Sequence, residues 1–438
     1  MQYTNSFGAF LVGLLAVAEV TTAVPTGPRH SAPVKSGTRG TASLKQVRNA
    51  GYNAKFSRHG ALAREKAYLK YNVAMPDELT TAVSRVRKSF RAALAEFDID
   101  LNIKDKRTTG SAYATPEQYD VEYLTPVQIG SPAQNLNLDF DTGSSDMWVY
   151  SSETPSSEVN GQAVYNPTAS NTSSKQSSLS WSISYGDGSS SSGDVYYDTV
   201  AVGGLTVENM AVEVATEVSS EFTADTEIDG LLGLGFSNLN TVSPTQQKTF
   251  FDKAQSQLDS AVFTADLKAG EPGTYNFGFI DDSLYTGDIS YTSVDSSDGY
   301  WMFSTSGYQI GDESFNDTAI TGIADTGTTL LMLPSAIVDA YYAQVDGSSY
   351  DSTNGGYVFP CDVTPPDFTL GIEDGRIVIP GSYINYSPLD STGTSCYGGI
   401  QDDSDIGFAI FGDVALKAAF VVFEGGSDPK LGWASKDL

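Results

Sequence analysis

The chain has 438 residues, 40% hydrophobic and 11% aromatic, a composition that suits two or three folded domains with a sizeable core. A formal charge of −29 argues against a phosphate-binding surface, and so against nucleic acid as a partner. Two cysteines and two histidines leave little material for a metal cluster, so neither a metal nor a cofactor is expected.

The charge is segregated. Through Arg107 the chain holds 17 of its 25 basic residues and 8 of its 54 acidic ones, a net +9; residues 108–438 carry −38. Both histidines, His30 and His59, lie in the basic part. The acidic part therefore has no material for Ser-His-Asp or Cys-His catalysis, nor for a His-Glu-x-x-His zinc site.

Taken in chain order, Phe7 to Val20 is an apolar run broken only by Glu19 and followed by Thr21, Thr22 and Ala23. It is too short to span a bilayer and reads as a secretory leader over residues 1–23. No later segment is apolar enough for a membrane span, and the expected product is an exported protein with no membrane association. Residues 24–107 read as a removable basic prosegment ending at the dibasic pair Lys106-Arg107. Within it, Leu79, Val83, Val86, Phe90, Leu94 and Phe97 recur near helical spacing and predict an amphipathic helix over Pro76 to Phe97. Its basic residues Arg85, Arg87, Lys88 and Arg91 read as a solvated face.

From about Tyr113 the texture changes to short alternating apolar runs, such as Leu136, Leu138 and Phe140 or Val195 to Val202, punctuated by Gly, Ser, Thr and Asp. This predicts a mostly antiparallel all-β protein with helices only near Thr245 to Leu258 and Ser335 to Val345. Cys361 and Cys396 are the only cysteines, and in an exported chain they are expected to pair, adding about 3 kcal/mol. Asn171, Asn316 and Asn385 each open a glycan acceptor sequon.

One short pattern occurs twice: Asp141-Thr-Gly-Ser-Ser and, 184 residues later, Asp325-Thr-Gly-Thr-Thr. Each copy has a later apolar-glycine partner, Asp229-Gly-Leu-Leu-Gly-Leu-Gly for the first and Ala409-Ile-Phe-Gly-Asp-Val for the second. The duplication implies two similar lobes, each presenting one aspartate at a strand-end turn. Two carboxylates held close together cannot both ionise, so they share a proton. The ionised partner then takes a proton from water while the protonated one polarises a carbonyl. Gly143 and Gly327 let the backbone approach the carboxylates, and the hydroxyls of Ser144 and Thr328 are placed to hold the outer oxygens. Thr142 and Thr326 are placed to bond across between the lobes. Asp139 falls on the same face as Asp141 by alternation and reads as a solvated edge carboxylate.

These residues resemble the pepsin family of aspartic endopeptidases, and more specifically its secreted fungal aspergillopepsin and penicillopepsin group. The resemblance runs from about Tyr123 to Trp433, with leader and prosegment in the family's order. It implies a bilobal all-β fold with a substrate cleft between an N-terminal lobe at 108–290 and a C-terminal lobe at 291–438. It further implies a monomer acting on protein and peptide substrates at acid pH, hydrophobic residues around the scissile bond, and inhibition by pepstatin-type compounds. Asp141 and Asp325 are the implied catalytic pair. Trp181 to Ser189 reads as a hairpin and matches the family's flap, with Tyr185 as the flap tyrosine that bonds the indole of Trp148, followed by Gly186 and Asp187. An acid at position 187 accompanies acceptance of Lys at P1 in that group; a turn-forming Asp explains it nearly as well. The stretch Arg64 to Tyr71 resembles the family's inhibitory prosegment, with Lys70 across the aspartates and Lys66 as its close neighbour. An inactive homologue would be expected to lose an Asp, a Gly or the flap tyrosine, and all are intact. An acid glycosidase also works with two carboxylates, but nothing in that class predicts this duplication.

Overall fold

The computed structural model describes residues 60–71, 73–96 and 123–438, apart from 185–189, 224–227, 390–391 and 405, together with two short strands, Ala42–Lys45 and Val47–Arg48. The leader, the dibasic pair Lys106-Arg107 and the flap residues Tyr185, Gly186 and Asp187 lie outside the described residues.

From Tyr123 onward the chain is built of strands, giving the all-β, two-lobed fold that the alternation and the duplication predict, in the pepsin-like form that the resemblance implies. An eight-stranded sheet takes its main strands from Tyr123–Ile129 through Gly230–Gly233. At its centre Gln134–Asp141 runs parallel to Gly230–Gly233, which in turn runs antiparallel to Met147–Val149. The second half repeats this arrangement: Thr321–Ala324 is parallel to Ala409–Phe411, which is antiparallel to Leu331–Leu333. Each aspartate motif is thus seated on the apolar-glycine strand paired with it in sequence. A six-stranded sheet combines Val262–Lys268, Glu271–Phe277 and Thr286–Ser293 with Phe420–Glu424 and Lys430–Ser435, and so joins the two halves. One continuous core runs through both, including Phe140, Leu232, Phe263, Phe411 and Trp433.

The amphipathic helix forms over Asp77–Glu96, with Leu79, Val83 and Val86 buried. A second helix, Gly60–Lys70, precedes it. Ala61, Ala67, Tyr68, Leu79 and Val83 pack on Ile323, Met332, Tyr397 and Ile410, so the two helices lie against the C-terminal half. The helix expected near Thr245 to Leu258 is shorter: an α turn at Phe250–Ala254 and a 3-10 turn at Gln255–Gln257. The earlier residues stay outside the helix, where the Gln247 and Thr249 N–H groups donate to Asn240 Oδ1 and Ser237 Oγ. The later helix, Ser335–Tyr342, also stops short of Val345. Cys361 and Cys396 are joined in a disulfide.

Candidate active site

Asp141 is the last residue of the strand Gln134–Asp141, and Asp325 follows directly on Thr321–Ala324. Both carboxyls are buried, at 1% and 0% exposure. Each is held in the same way. Asp141 Oδ1 accepts from Gly143 N at 2.8 Å and its Oδ2 from Ser144 Oγ at 2.6 Å. Asp325 Oδ1 accepts from Gly327 N at 3.0 Å, and its Oδ2 from the Thr328 hydroxyl. The glycines are steric requirements as well as donors. A Cβ on Gly143 would stand 2.5 Å from Asp325 Oδ1, and one on Gly327 would meet Asp141 Oδ1, so each turn grazes the other lobe's carboxylate.

The two turns are tied together beneath the carboxylates. Thr142 N donates to Thr326 Oγ1 at 3.1 Å and Thr326 N to Thr142 Oγ1 at 3.0 Å. The same hydroxyls donate onward, Thr142 to Ala324 O at 2.8 Å and Thr326 to Phe140 O at 2.5 Å. Four buried bonds between two strand ends fix the spacing of the aspartates to side-chain precision.

Across the opening lies the end of the helix Gly60–Lys70. Lys70 Nζ donates to Asp141 Oδ1 and to Asp325 Oδ1, both at 2.6 Å, so one ammonium spans both inner oxygens. Lys66, its near neighbour in sequence, does not take this place; it acts on the Asp413 carboxyl. Tyr71, whose role the sequence did not reveal, donates its hydroxyl to Asp325 Oδ2 at 2.5 Å. Its ring meets Tyr300 and Phe408 edge-on, with centroids 5.6 and 5.3 Å away. Arg64 was equally unforeseen: it is buried, with NH1 donating to Gly355 O at 2.9 Å and NH2 to Asp402 O at 3.0 Å. The only signal for either was adjacency to the lysine.

The carboxyls differ in proton affinity. Burial pushes Asp325 up, but Lys70 and the hydroxyls of Thr328 and Tyr71 outweigh it and hold the carboxyl at about 2. For Asp141, burial and the like charge of Asp325 prevail over Lys70 and Ser144, and its pKa is raised. Burial opposes the charge on Lys70, yet the two aspartates raise its pKa above the ordinary lysine value.

Trp148 is buried against Trp181, ring centroids 6.1 Å apart, and its Nε1 has no hydrogen-bond partner among the described residues. The strands Ser174–Ser184 and Ser190–Val202 pair antiparallel with Ser184 opposite Ser190, the two arms of the expected hairpin. Asp139 is 3% exposed, not a solvated edge carboxylate. Its strand is central, with Leu124 and Leu231 in register on either side. Of the sequons, Asn171 and Asn316 are exposed, whereas Asn385 is half-buried and donates Nδ2 to Cys361 O at 3.0 Å. Among the described residues no three His, Cys, Asp or Glu side chains group as metal ligands. No helix among them is long and apolar enough to cross a membrane.

Two buried aspartates on equivalent turns, cross-braced by threonines, define an aspartic protease. The family model for eukaryotic aspartyl proteases matches residues 122–436, and the chain belongs to that family. Endothiapepsin of Cryphonectria parasitica is 58% identical over 398 residues, covering 91% of each chain. Penicillopepsin-3 of Penicillium janthinellum is 50% identical over 90% of this chain and 92% of its own. Aspergillopepsin-1 of Aspergillus oryzae is 46% identical over the full length of both. The protein is accordingly an aspartic endopeptidase of the pepsin family.

Proposed function

We propose that this endopeptidase is made as an exported, self-activating zymogen and hydrolyses proteins in acid through a water held by Asp141 and Asp325. The observation that carries the reading is the bridge from Lys70 to both inner carboxylate oxygens at 2.6 Å. A donor there fills the place of the attacking water and blocks the cleft. With that segment removed, the ionised aspartate takes a proton from the water as its oxygen adds to the scissile carbonyl. The protonated aspartate gives its proton to the carbonyl oxygen. Collapse of the tetrahedral species breaks the C–N bond as the dyad returns a proton to the leaving nitrogen, with no covalent intermediate.

In this reading residues 1–23 are the leader, 24–107 the inhibitory prosegment, and 108–290 and 291–438 the two lobes of a monomeric enzyme. Tyr185, Gly186 and Asp187 form the flap tip, and the open Nε1 of buried Trp148 supports the tyrosine as its acceptor. The Tyr71 ring between Tyr300 and Phe408 supports a preference for hydrophobic side chains beside the scissile bond. Asn171 and Asn316 are the proposed glycan sites, since the Asn385 amide is already engaged.

Asp141→Asn and Asp325→Asn should each abolish pepstatin-sensitive acid proteolysis in a folded chain; activity retained by either refutes the assignment. Asp187→Asn, assayed on peptides with lysine before the scissile bond, should lose cleavage there while hydrophobic sites are still cut. Equal loss at both kinds of site would dissociate Asp187 from lysine acceptance.

A further inference from the structure

A second pair of carboxyls lies behind the first turn. Asp146, five residues after Asp141, is 3% exposed, and Glu213 on the strand Leu205–Val218 is 1% exposed. The two carboxyls converge on one amide nitrogen. Asn240 Nδ2 reaches both, at 3.1 Å from Asp146 Oδ1 and 2.8 Å from Glu213 Oε1, and also donates to Ser145 O at 3.2 Å. Asp146 Oδ1 further accepts from Thr241 N and Thr241 Oγ1, both at 2.8 Å. Glu213 Oε2 meets no donor. The other groups acting on the pair are the Met147 N–H and the Asp141 charge, and no ion pair among the described residues reaches either carboxyl. Two carboxylates gathered out of water on one neutral amide, with no cation beside them, cannot both keep their charge, so the pair calls for a proton.

We propose that Asp146 and Glu213 share one proton, and that this pair is a positioning element holding the Asp141 turn until rising pH removes the proton. The mechanical link is direct. Gly233 N donates to Asp146 O at 2.9 Å, Gly235 N to Ser144 O at 2.8 Å and Leu234 N to Asp141 O at 2.7 Å, so residues 141–146 are laced to one strand end. Loss of the shared proton leaves two adjacent buried anions beneath that lacing. Burial, then the neighbouring Asp146 charge, puts Glu213 well above the ordinary carboxylate range. Burial likewise raises Asp146. A raised group stabilises fully below its unfolded pKa, about 4.3 for Glu, and that stability is lost as pH rises through the folded value.

The test is urea unfolding of the intact chain from pH 4.5 to 8, in an Asp325→Asn background that silences self-cleavage. From pH 4.5 up to the pair's folded value the unfolding constant of the parent should rise by one more power of ten per pH unit than that of Glu213→Gln, whose neutral amide needs no proton. Asp146→Asn should lose the same single-proton slope. In the otherwise unmodified chain, Glu213→Gln should move irreversible loss of activity to higher pH, a part that rests on Asp141 being catalytic. Parallel slopes in parent and both variants would overturn the shared proton, as would failure of both variants to fold at any pH. Unmoved alkaline inactivation with altered slopes would overturn the positioning role. A background chain that still cleaves itself shows as a shortened band and counts against the catalytic reading instead.

Discussion

Lys70→Met keeps the stem of the side chain and removes only the ammonium that spans the two aspartates. The side chain is 9% exposed and both contacts are 2.6 Å, so the pair is a buried one. Removing one partner of a buried ion pair costs about 3–5 kcal/mol. The aspartates recover part of this by taking up a proton, which points to the lower end, about 3 kcal/mol or roughly a 150-fold rise in chains with the cleft open at neutral pH. The cost shrinks in acid, where the wild-type contact itself fails. The depressed Asp325 contributes its hold above about pH 3.9, the ordinary value for Asp, and loses it as pH falls through about 2. The raised Asp141 takes its proton earlier and removes one of the two partners of Lys70 first. The assay is the rate of self-processing from pH 7 to 2, followed by gel and N-terminal sequencing. Wild type should accelerate steeply over the acid range, whereas Lys70→Met should process faster at the upper end and depend less on pH. Superimposed pH profiles for the two chains would refute the reasoning.

Tyr71→Phe removes the hydroxyl from Asp325 Oδ2 but keeps the ring against Tyr300 and Phe408. A hydrogen bond to a charged group is worth about 1.5 kcal/mol at the low end, or about one pKa unit. The self-processing midpoint should therefore move up by about one pH unit; an unmoved midpoint would show that the hydroxyl does not set it. Replacing Cys361 and Cys396 together by Ala opens a loop of 35 residues, for which chain entropy predicts a loss of about 4 kcal/mol. Urea unfolding should show it as a lower midpoint with the cleft's pepstatin affinity retained, since neither cysteine touches the aspartates.

The site was legible because its chemistry is local. Asp-Thr-Gly turns, their hydroxyl third neighbours and their apolar-glycine partners are short-range patterns, and the parallel pairing of Asp141 with Gly233 and of Ala324 with Phe411 follows the order in which they occur. Lys70 was legible only through the resemblance of Arg64 to Tyr71 to the family's inhibitory prosegment, since no pattern of its own separates it from Lys66. What sequence could not carry was the depth of burial at a strand's two edges: Asp139 alternates like a solvent-facing residue, and only Leu124 and Leu231 on its flanks show the strand to be central. The curtailed helix near Phe250 was hidden for a related reason. The side chains that capture its first N–H groups, Asn240 and Ser237, belong to a turn earlier in the chain.

Two turns so alike should give two aspartates of similar acidity, and the contacts from their own lobes are indeed matched: a glycine N–H on each inner oxygen, a hydroxyl on each outer one. Lys70 is shared equally between them. The contact that breaks the symmetry among the described residues is the Tyr71 hydroxyl, which adds a second donor to Asp325 Oδ2 and has no counterpart there at Asp141. That donor belongs to the proposed prosegment, so the low value at Asp325 is partly a property of the inhibited chain. The proposed release of the segment would remove Lys70, the strongest reason for Asp325 to stay ionised, and the Tyr71 hydroxyl with it, leaving the Thr328 hydroxyl in place. The freed aspartates, two like charges in one buried site, are then left to share a proton. On the proposed mechanism, the removal that opens the cleft would therefore also put the pair into the protonation state its chemistry needs.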